Sequence, residues 1–348
     1  MASVLYLGLP DRPTTWLRHV YSDFATELGD KYPHRVYDLA QPPAGQFNGI
    51  RVVVEAGGSF ATPEMIDEAA AQGVNFWQII GTGINHVAVD RFQRCGIRLA
   101  NLPGAFSSVA LAEHALFGML FFAKNYIESR RALSAGVICD PVNEELSGKT
   151  LSLIGFGASG QELAQRASSF GVRVMAMDLI TPDPAVLSNI NCAFFGGPKD
   201  FDFLLSEADY LSIHVPLNAS TQNLIDQRAL SLMKPTAVLI NVARSEVVEE
   251  QALIDALQQR RLRGAALDVF PEEPVNPQHP LLQFENVLAT PHTAGVTRET
   301  SRRRAAGAVA NVLRVCGGDD PEYLVTDFST PKHTVDVIRV GSQGLLLC

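Results

Sequence analysis

The stretch at 150–178, TLSLIGFGASGQELAQRASSFGVRVMAMD, constrains the chain more than any other. It reads as a strand, a glycine turn, a helix and a second strand that ends in an acid. Residues 151–154 are a short apolar run of the kind buried on both faces of a parallel sheet. Gly155, Gly157 and Gly160 follow in G-x-G-x-x-G spacing, which permits a tight turn and lets a pyrophosphate approach the backbone. The amides opening the next helix then face the phosphates, where the helix dipole favours negative charge. Leu163, Ala164 and Ala167 mark that helix, Gly171 stands where a left-handed residue would end it, and 172–177 return as a strand. Asp178 falls at the carboxyl end of this strand, at about the separation where an acid accepts hydrogen bonds from an adenosine ribose. An acid there repels a 2′-phosphate, so NAD is expected over NADP. An S-adenosylmethionine ribose could use the same acid. Gly148-Lys149-Thr150 has the ending of a P-loop, but Asn143 stands where its first glycine belongs.

Strands and helices alternate on both sides of this unit. Before it, strands are expected at 4–7, 35–37, 52–55, 76–80 and 98–100, with helices at 16–28 and 63–71. The run Gly81-Thr82-Gly83-Ile84-Asn85-His86 is a glycine turn straight after a strand, either a plain strand-to-helix turn or one whose amides hold an anion. A loop at 101–104 precedes one long helix at 107–127. Beyond the central unit come a proline-containing loop at 181–184, helices at 201–206, 229–233 and 249–260, and strands at 210–215, 237–242 and 264–269. This rhythm means a doubly wound parallel α/β sheet. Chain crossings between domains are expected near Gly104 and after His292, with a helix at 298–315 free to return to the first domain. An edge strand is expected at 335–340.

With 348 residues, 47% of them hydrophobic, the chain is long enough for two cores. Its formal charge of −9 and its lack of a long Lys/Arg block argue against nucleic acid as a partner. Arg302, Arg303 and Arg304 read as a solvated helix face. Five cysteines without a C-x-x-C pair suit a reduced compartment and give no metal site. The first residues carry no cationic region and read as a strand, not a signal peptide. The most apolar helix, 109–123, contains Glu113 and His114 and is too short to span a bilayer. The expectation is a cytoplasmic protein with no membrane partner.

Three polar residues follow apolar runs in the second half: Arg244 after AVLINVA, Glu273 after ALDVFPE and His292 after NVLATP. Each alone has a structural explanation, as a surface arginine, a loop acid and a satisfied histidine. Ligands of open α/β sheets bind beyond the carboxyl ends of strands, where Arg244 and the 268–273 segment would converge. Together the three supply what hydride transfer to a 2-keto acid requires. A guanidinium fork grips a carboxylate, an imidazolium protonates the developing alkoxide, and a carboxylate behind it orients the ring and stabilises its charge.

Seven segments in order, GTGINHVAVD, NLPGAFSSVALAEHAL, LSGKTLSLIGFGASG, YLSIHVPLNASTQNLI, MKPTAVLINVARSEVVEEQAL, GAALDVFPEEP and NVLATPHTAG, resemble the D-isomer-specific 2-hydroxyacid dehydrogenases, the phosphoglycerate dehydrogenase and glyoxylate/hydroxypyruvate reductase type. The resemblance covers roughly 74–317. It implies a two-domain α/β fold, a Rossmann NAD-binding domain (104–292) inserted in a flavodoxin-like substrate domain (1–103 with 293–348), and a homodimer. It implies Arg244 as the substrate arginine, His292 as acid/base and Glu273 as its partner. Asp268 resembles the aspartate that holds the nicotinamide carboxamide. His214, Val215 and Pro216 resemble the wall of the adenine and ribose pocket, and Val242 and Ala243 the main chain beside the nicotinamide ribose. Phe156, Ala158, Ser159, Thr221 and Gly295 join the coenzyme set through the same motifs. Thr82, Gly83 and Ile84 look like the loop whose amides bind a substrate carboxylate, together with Arg244 and His292. The expected partner is thus a small 2-hydroxy or 2-keto acid. Ser245, Glu249 and Ser159 replace a glycine, an aspartate and an isoleucine common in the family, and none of these changes removes a needed charge. Phosphite oxidation on the same scaffold, and an NAD-sensing protein like the corepressors that share these three residues, are the alternatives.

Overall fold

The computed structural model describes residues 3–9, 16–84 and 86–326, which form two compact units. One runs as far as Phe106 and resumes at Val296; the other is Ser107–Gly295.

The first unit holds β1 (Ser3–Leu7), α1 (Trp16–Leu28), β2 (His34–Val36), β3 (Ile50–Ala56), α2 (Pro63–Ala71), β4 (Phe76–Ile80), α3 (Val89–Arg94) and β5 (Arg98–Ala100). The strands form one parallel sheet in the order β2-β1-β3-β4-β5. Residues of β3 and β4 form near-continuous apolar runs because helices cover both faces of the sheet. On one face Leu17, Val20, Phe24 and Leu28 of α1, spaced at three and four residues, meet Ala305, Ala308, Val309 and Val312 from the returning helix. On the other, Ile66, Trp77 and Phe92 are fully buried. Glu55 breaks the apolar run at the end of β3. Its carboxylate accepts Phe60 N at 2.7 Å, Ala61 N at 3.0 Å and Trp77 Nε1 at 2.8 Å, so the buried acid ties down the turn that follows the strand. Burial raises its pKa, and these three donors work against that rise.

The second unit holds α4 (Ser108–Ala123), α5 (Tyr126–Ser134), β6 (Thr150–Ile154), α6 (Ala158–Ser169), β7 (Arg173–Met177), α7 (Pro184–Ile190), β8 (Phe194–Gly196), α8 (Phe201–Glu207), β9 (Tyr210–Ile213), α9 (Gln227–Leu232), β10 (Val238–Asn241), α10 (Glu250–Gln258), β11 (Gly264–Leu267) and β12 (Val287–Ala289). Its sheet is parallel throughout, in the order β12-β11-β10-β9-β6-β7-β8. Strand order therefore reverses between β6 and β9, which makes the carboxyl end of β6 the switch point where such sheets bind ligands. Ala112, Ala115 and Met119 of α4 pack with Leu163, Ala164 and Ala167 of α6 on one face. Leu204, Leu230, Leu253 and Leu257 cover the other. The last helix, α11 (Arg298–Gly317), belongs to the first unit, where Asn311 Nδ2 donates to Gln78 Oε1 of β4 at 2.8 Å.

One expectation needs correction, one stretch holds an element that was not expected, and one expectation cannot be placed. The helix expected at 107–127 is two helices, α4 and α5, because Asn125 adopts a left-handed backbone with φ 41° and ψ 49°. Arg263 fixes that break by donating to Phe122 O at 2.7 Å and to Asn125 Oδ1 at 2.9 Å. The loop expected at 181–184 leads into a helix that was not expected, α7, with Asp183 capping Ala185 N at 2.8 Å and Pro184 in the first turn, and β8 follows as an edge strand. The strand expected at 335–340 lies outside the described residues.

Candidate active site

The glycine turn leaves β6 at the switch point. Gly155 has φ +96°, and a Cβ there would stand 2.8 Å from the His214 carbonyl group, so the position admits only glycine without movement. At Gly160 a Cβ would meet Gly155 O at 2.4 Å, which brings the first turn of α6 against the loop. Gly157 caps α6 with no side-chain hydrogen bond, and the place where its Cβ would lie has no atom within 4 Å. Open space thus faces the helix end, whose first amides have no partner within the helix. A dinucleotide pyrophosphate fits this cradle.

Asp178 stands at the end of β7. Its Oδ2 accepts Phe156 N at 2.6 Å and its Oδ1 accepts Ile180 N at 3.2 Å, so the acid that would hold a ribose also ties the glycine turn to the neighbouring strand. Each oxygen keeps a lone pair for a ribose hydroxyl. Past β9, His214 bonds Ser159 Oγ through Nδ1 at 3.0 Å and Ser212 Oγ through Nε2 at 2.9 Å. Burial pushes its pKa down to about 4, and two hydroxyl partners suit a neutral ring that donates to one and accepts from the other. The serine at 159 thereby has a local purpose. Val215 Cγ1 would lie 3.0 Å from a Cβ at Gly155, and Thr221 Oγ1 donates to Pro216 O at 2.6 Å inside its own loop.

Adjacent strands β10, β11 and β12 lead into Arg244, Glu273 and His292. Beyond β10, the buried Asn241 accepts Ala243 N through Oδ1 at 3.0 Å and donates through Nδ2 to Arg244 O at 2.9 Å. That folds the chain after Val242 into the turn bearing Arg244, whose Nη1 donates to Ala243 O at 2.6 Å. Burial lowers the Arg244 pKa, while the carboxylates of Glu273 and Glu246 act against it. Glu273 accepts Phe270 N through Oε1 at 2.9 Å, and its Oε2 lies 2.7 Å from His292 Nδ1. With Nδ1 so engaged, Nε2 is the nitrogen left for proton exchange.

The loop carrying His292 hangs on Asp268, which is 1% exposed. Asp268 Oδ1 accepts Thr290 Oγ1 at 2.6 Å and Thr293 N at 2.8 Å, Oδ2 accepts Ala294 N at 2.8 Å, and the main-chain oxygen accepts His292 N at 2.8 Å. These bonds hold His292 at φ +53°, a left-handed backbone that costs a non-glycine residue roughly 1–2 kcal/mol. Gly295 follows, with space for a Cβ only 3.4 Å from Leu111. Three residues of this cluster were not singled out from the sequence as site residues: Asn241, Thr290 and His114. Asn241 had a signal, a polar residue closing the apolar run AVLIN.

In the first unit, Thr82, Gly83 and Ile84 follow β4. Asn101 Nδ2 donates to Thr82 O at 2.7 Å, and His86 Nε2 lies 3.2 Å from Gly57 O in the turn that Glu55 supports. The Thr82 hydroxyl oxygen is buried without a hydrogen-bond partner among the described residues. Among those residues there is also no His/Cys/Asp/Glu cluster that could hold a metal, and no helix long and apolar enough to cross a membrane.

A glycine turn at a sheet switch point, an acid ending the next strand and a charged cluster beyond the neighbouring strands have the layout of a dinucleotide-dependent oxidoreductase. Comparison with known proteins narrows the class. Residues 116–294 match the NAD binding domain of the D-isomer specific 2-hydroxyacid dehydrogenases. A glyoxylate reductase of Thermofilum pendens is 36% identical over 262 residues, 74% of this chain and 76% of the relative. An (S)-sulfolactate dehydrogenase of Chromohalobacter salexigens is 38% identical over 241 residues, 68% of this chain and 76% of the relative. Among solved structures, D-lactate dehydrogenase with NAD+ from Lactobacillus jensenii superposes with a TM-score of 0.77 at 25% identity, covering 93% of this chain and 100% of that one. The chain belongs to the D-isomer specific 2-hydroxyacid dehydrogenase family, an NAD-dependent family of enzymes.

Proposed function

We propose that the protein interconverts a small 2-keto acid and its 2-hydroxy acid, with Arg244, Glu273 and His292 as the working residues. When bound, NADH supplies the hydride. Arg244 grips the substrate carboxylate and polarises the adjacent carbonyl. His292 gives a proton from Nε2 to the substrate oxygen, and Glu273 steadies the ring through Nδ1. In the first unit the amides of Thr82, Gly83 and Ile84 are a second carboxylate hold, and the Thr82 hydroxyl, unpartnered among the described residues, gives that loop one more polar group for a small ligand. Oxidation reverses these roles. The observation that carries the reading is the 2.7 Å contact between Glu273 Oε2 and His292 Nδ1, because it orients the ring as an acid/base requires. On this reading the first unit is the substrate domain and the second the coenzyme domain, which also carries Arg244, Glu273 and His292. Asp268 is the residue that accepts from the carboxamide, beside the main chain of Val242 and Ala243.

The test is NADH oxidation, followed by absorbance, with glyoxylate, hydroxypyruvate, pyruvate, phenylpyruvate and 3-phosphohydroxypyruvate, repeated with NADPH. Turnover of at least one acid with NADH preferred is expected, since the Asp178 carboxylate repels a 2′-phosphate. Tight NADH binding with no turnover on any of them would count against the reading.

We also propose a homodimer built through the second unit. Phe117, Tyr126, Leu133, Val137, Ile138 and Val142 are exposed along α4, α5 and the loop beyond, at 46–88% of full exposure, a strip of apolar surface that a second copy would cover. Light scattering should give twice the 37.7 kDa chain mass; a monomer at micromolar concentration overturns the proposal. Cys95, Cys139, Cys192 and Cys316 are free thiols, which suits a cytoplasmic enzyme.

A further inference from the structure

His114 sits in the first half of α4, and nothing in the reading above gives it a task. Its Nε2 is 2.9 Å from Thr290 Oγ1 and 3.7 Å from Asp268 Oδ1. Thr290 Oγ1 is in turn 2.6 Å from that same carboxylate oxygen. The hydroxyl has one proton to give. Asp268 faces three donors, Thr290 Oγ1, Thr293 N and Ala294 N, and these hydrogen bonds need it as a carboxylate, which only accepts. The threonine proton therefore points to Asp268, and the threonine oxygen is left to accept from His114. That requires a proton on Nε2.

We propose that His114 is a positioning residue: a one-way chain, His114 Nε2–H to Thr290 Oγ1–H to Asp268, holds the 290–294 loop so that His292 stays aimed. The chain lies within one unit and ends on the group that fixes His292 from both sides, through Asp268 O to His292 N and through the carboxylate to Thr293 N and Ala294 N. A neutral ring is enough to operate it. Burial lowers the His114 pKa while the Asp268 charge opposes the shift, and Phe117, against its ring edge, adds no charge. A leucine at 114 would fill the space and leave the Thr290 oxygen without its donor. A glutamine places an amide N–H near the same point.

The inference rests on His292 being the acid/base, and its test is chosen to separate the two ideas. His114→Leu and Thr290→Val should each lower kcat for keto-acid reduction by about ten- to a hundredfold, as expected for a misplaced reacting group, with KM for the keto acid within about twofold. His114→Gln should keep kcat within about threefold. The double variant His114→Leu/Thr290→Val should be no worse than the poorer single one, since both cut one chain. In addition, 15N spectra of histidine-labelled parent protein without coenzyme should show His114 at pH 7 as the neutral Nε2–H tautomer, a readout that needs neither turnover nor a variant.

The proposal is overturned if His114→Leu keeps parental kcat and loses only thermal stability, or if His114→Gln is as damaged as His114→Leu. An Nδ1–H tautomer or an imidazolium at pH 7 overturns it as well. If His114→Leu does not fold, Thr290→Val and the spectra decide. Retained turnover in a His292 variant would instead remove the reading beneath it.

Discussion

His292→Asn is expected to lower keto-acid turnover by about 10²–10⁴-fold, the usual contribution of a positioned general acid, while leaving NADH affinity unchanged. Asparagine is the informative replacement because it tolerates the left-handed backbone that His292 holds at φ +53°. The loop bonds to Asp268 use main-chain groups of residues 292–294 and the Thr290 hydroxyl, so the substitution leaves them in place. What disappears is the ring that Glu273 Oε2 holds. Stopped-flow or steady-state kcat, beside an NADH dissociation constant from fluorescence, reads the two quantities separately. A variant that kept kcat within tenfold of the parent would assign the proton to some other group.

Arg244→Ala is expected to reduce kcat/KM for the keto acid by about 10²–10⁴-fold. Two hydrogen bonds between a guanidinium and a carboxylate, at about 1.5–3 kcal/mol each, give roughly 3–6 kcal/mol, and each 1.36 kcal/mol is a factor of ten. Lysine restores one charge but not the planar fork, so Arg244→Lys should recover only part of the loss. The site adds a local reason. Arg244 is a partly buried cation with Glu273 and Glu246 as its charged neighbours, and alanine would leave those two carboxylates facing one another's field without it. Added guanidinium should rescue the alanine variant in part. An Arg244→Ala enzyme with parental kcat/KM would move the carboxylate grip elsewhere.

The strand, glycine turn, helix and second strand at 150–178 were legible because their signals are local. Glycines at fixed spacing, an apolar strand on each side and an acid at the end of the second strand need no distant contact to be understood. Asp178 also accepts Phe156 N, which spacing alone could not tell, because it depends on how two parallel strands align. The split of α4 from α5 was illegible for the same reason. Its apolar pattern continues across Ala123, and the break is held by Arg263, more than a hundred residues away in sequence. The start of α7 was different: Asp183 before Pro184 is an N-cap signal, but the segment was read as loop because prolines crowd it. His114 and Thr290 lie 176 residues apart, and nothing in either neighbourhood announces that they meet. Charged residues at strand ends were visible as chemistry; the neutral groups that brace them became visible only when the chain was folded.

The most direct test of the central claim is mass spectrometry of the product formed from hydroxypyruvate and from glyoxylate with NADH deuterated at C4 on each face in turn. One deuterium on C2 of the product, delivered from one face only and formed far more slowly by the His292 or Arg244 variants, is the expected result, with a D-configured acid from hydroxypyruvate. Product that carries no deuterium from either face, or product formed equally well without Arg244 and His292, would contradict it.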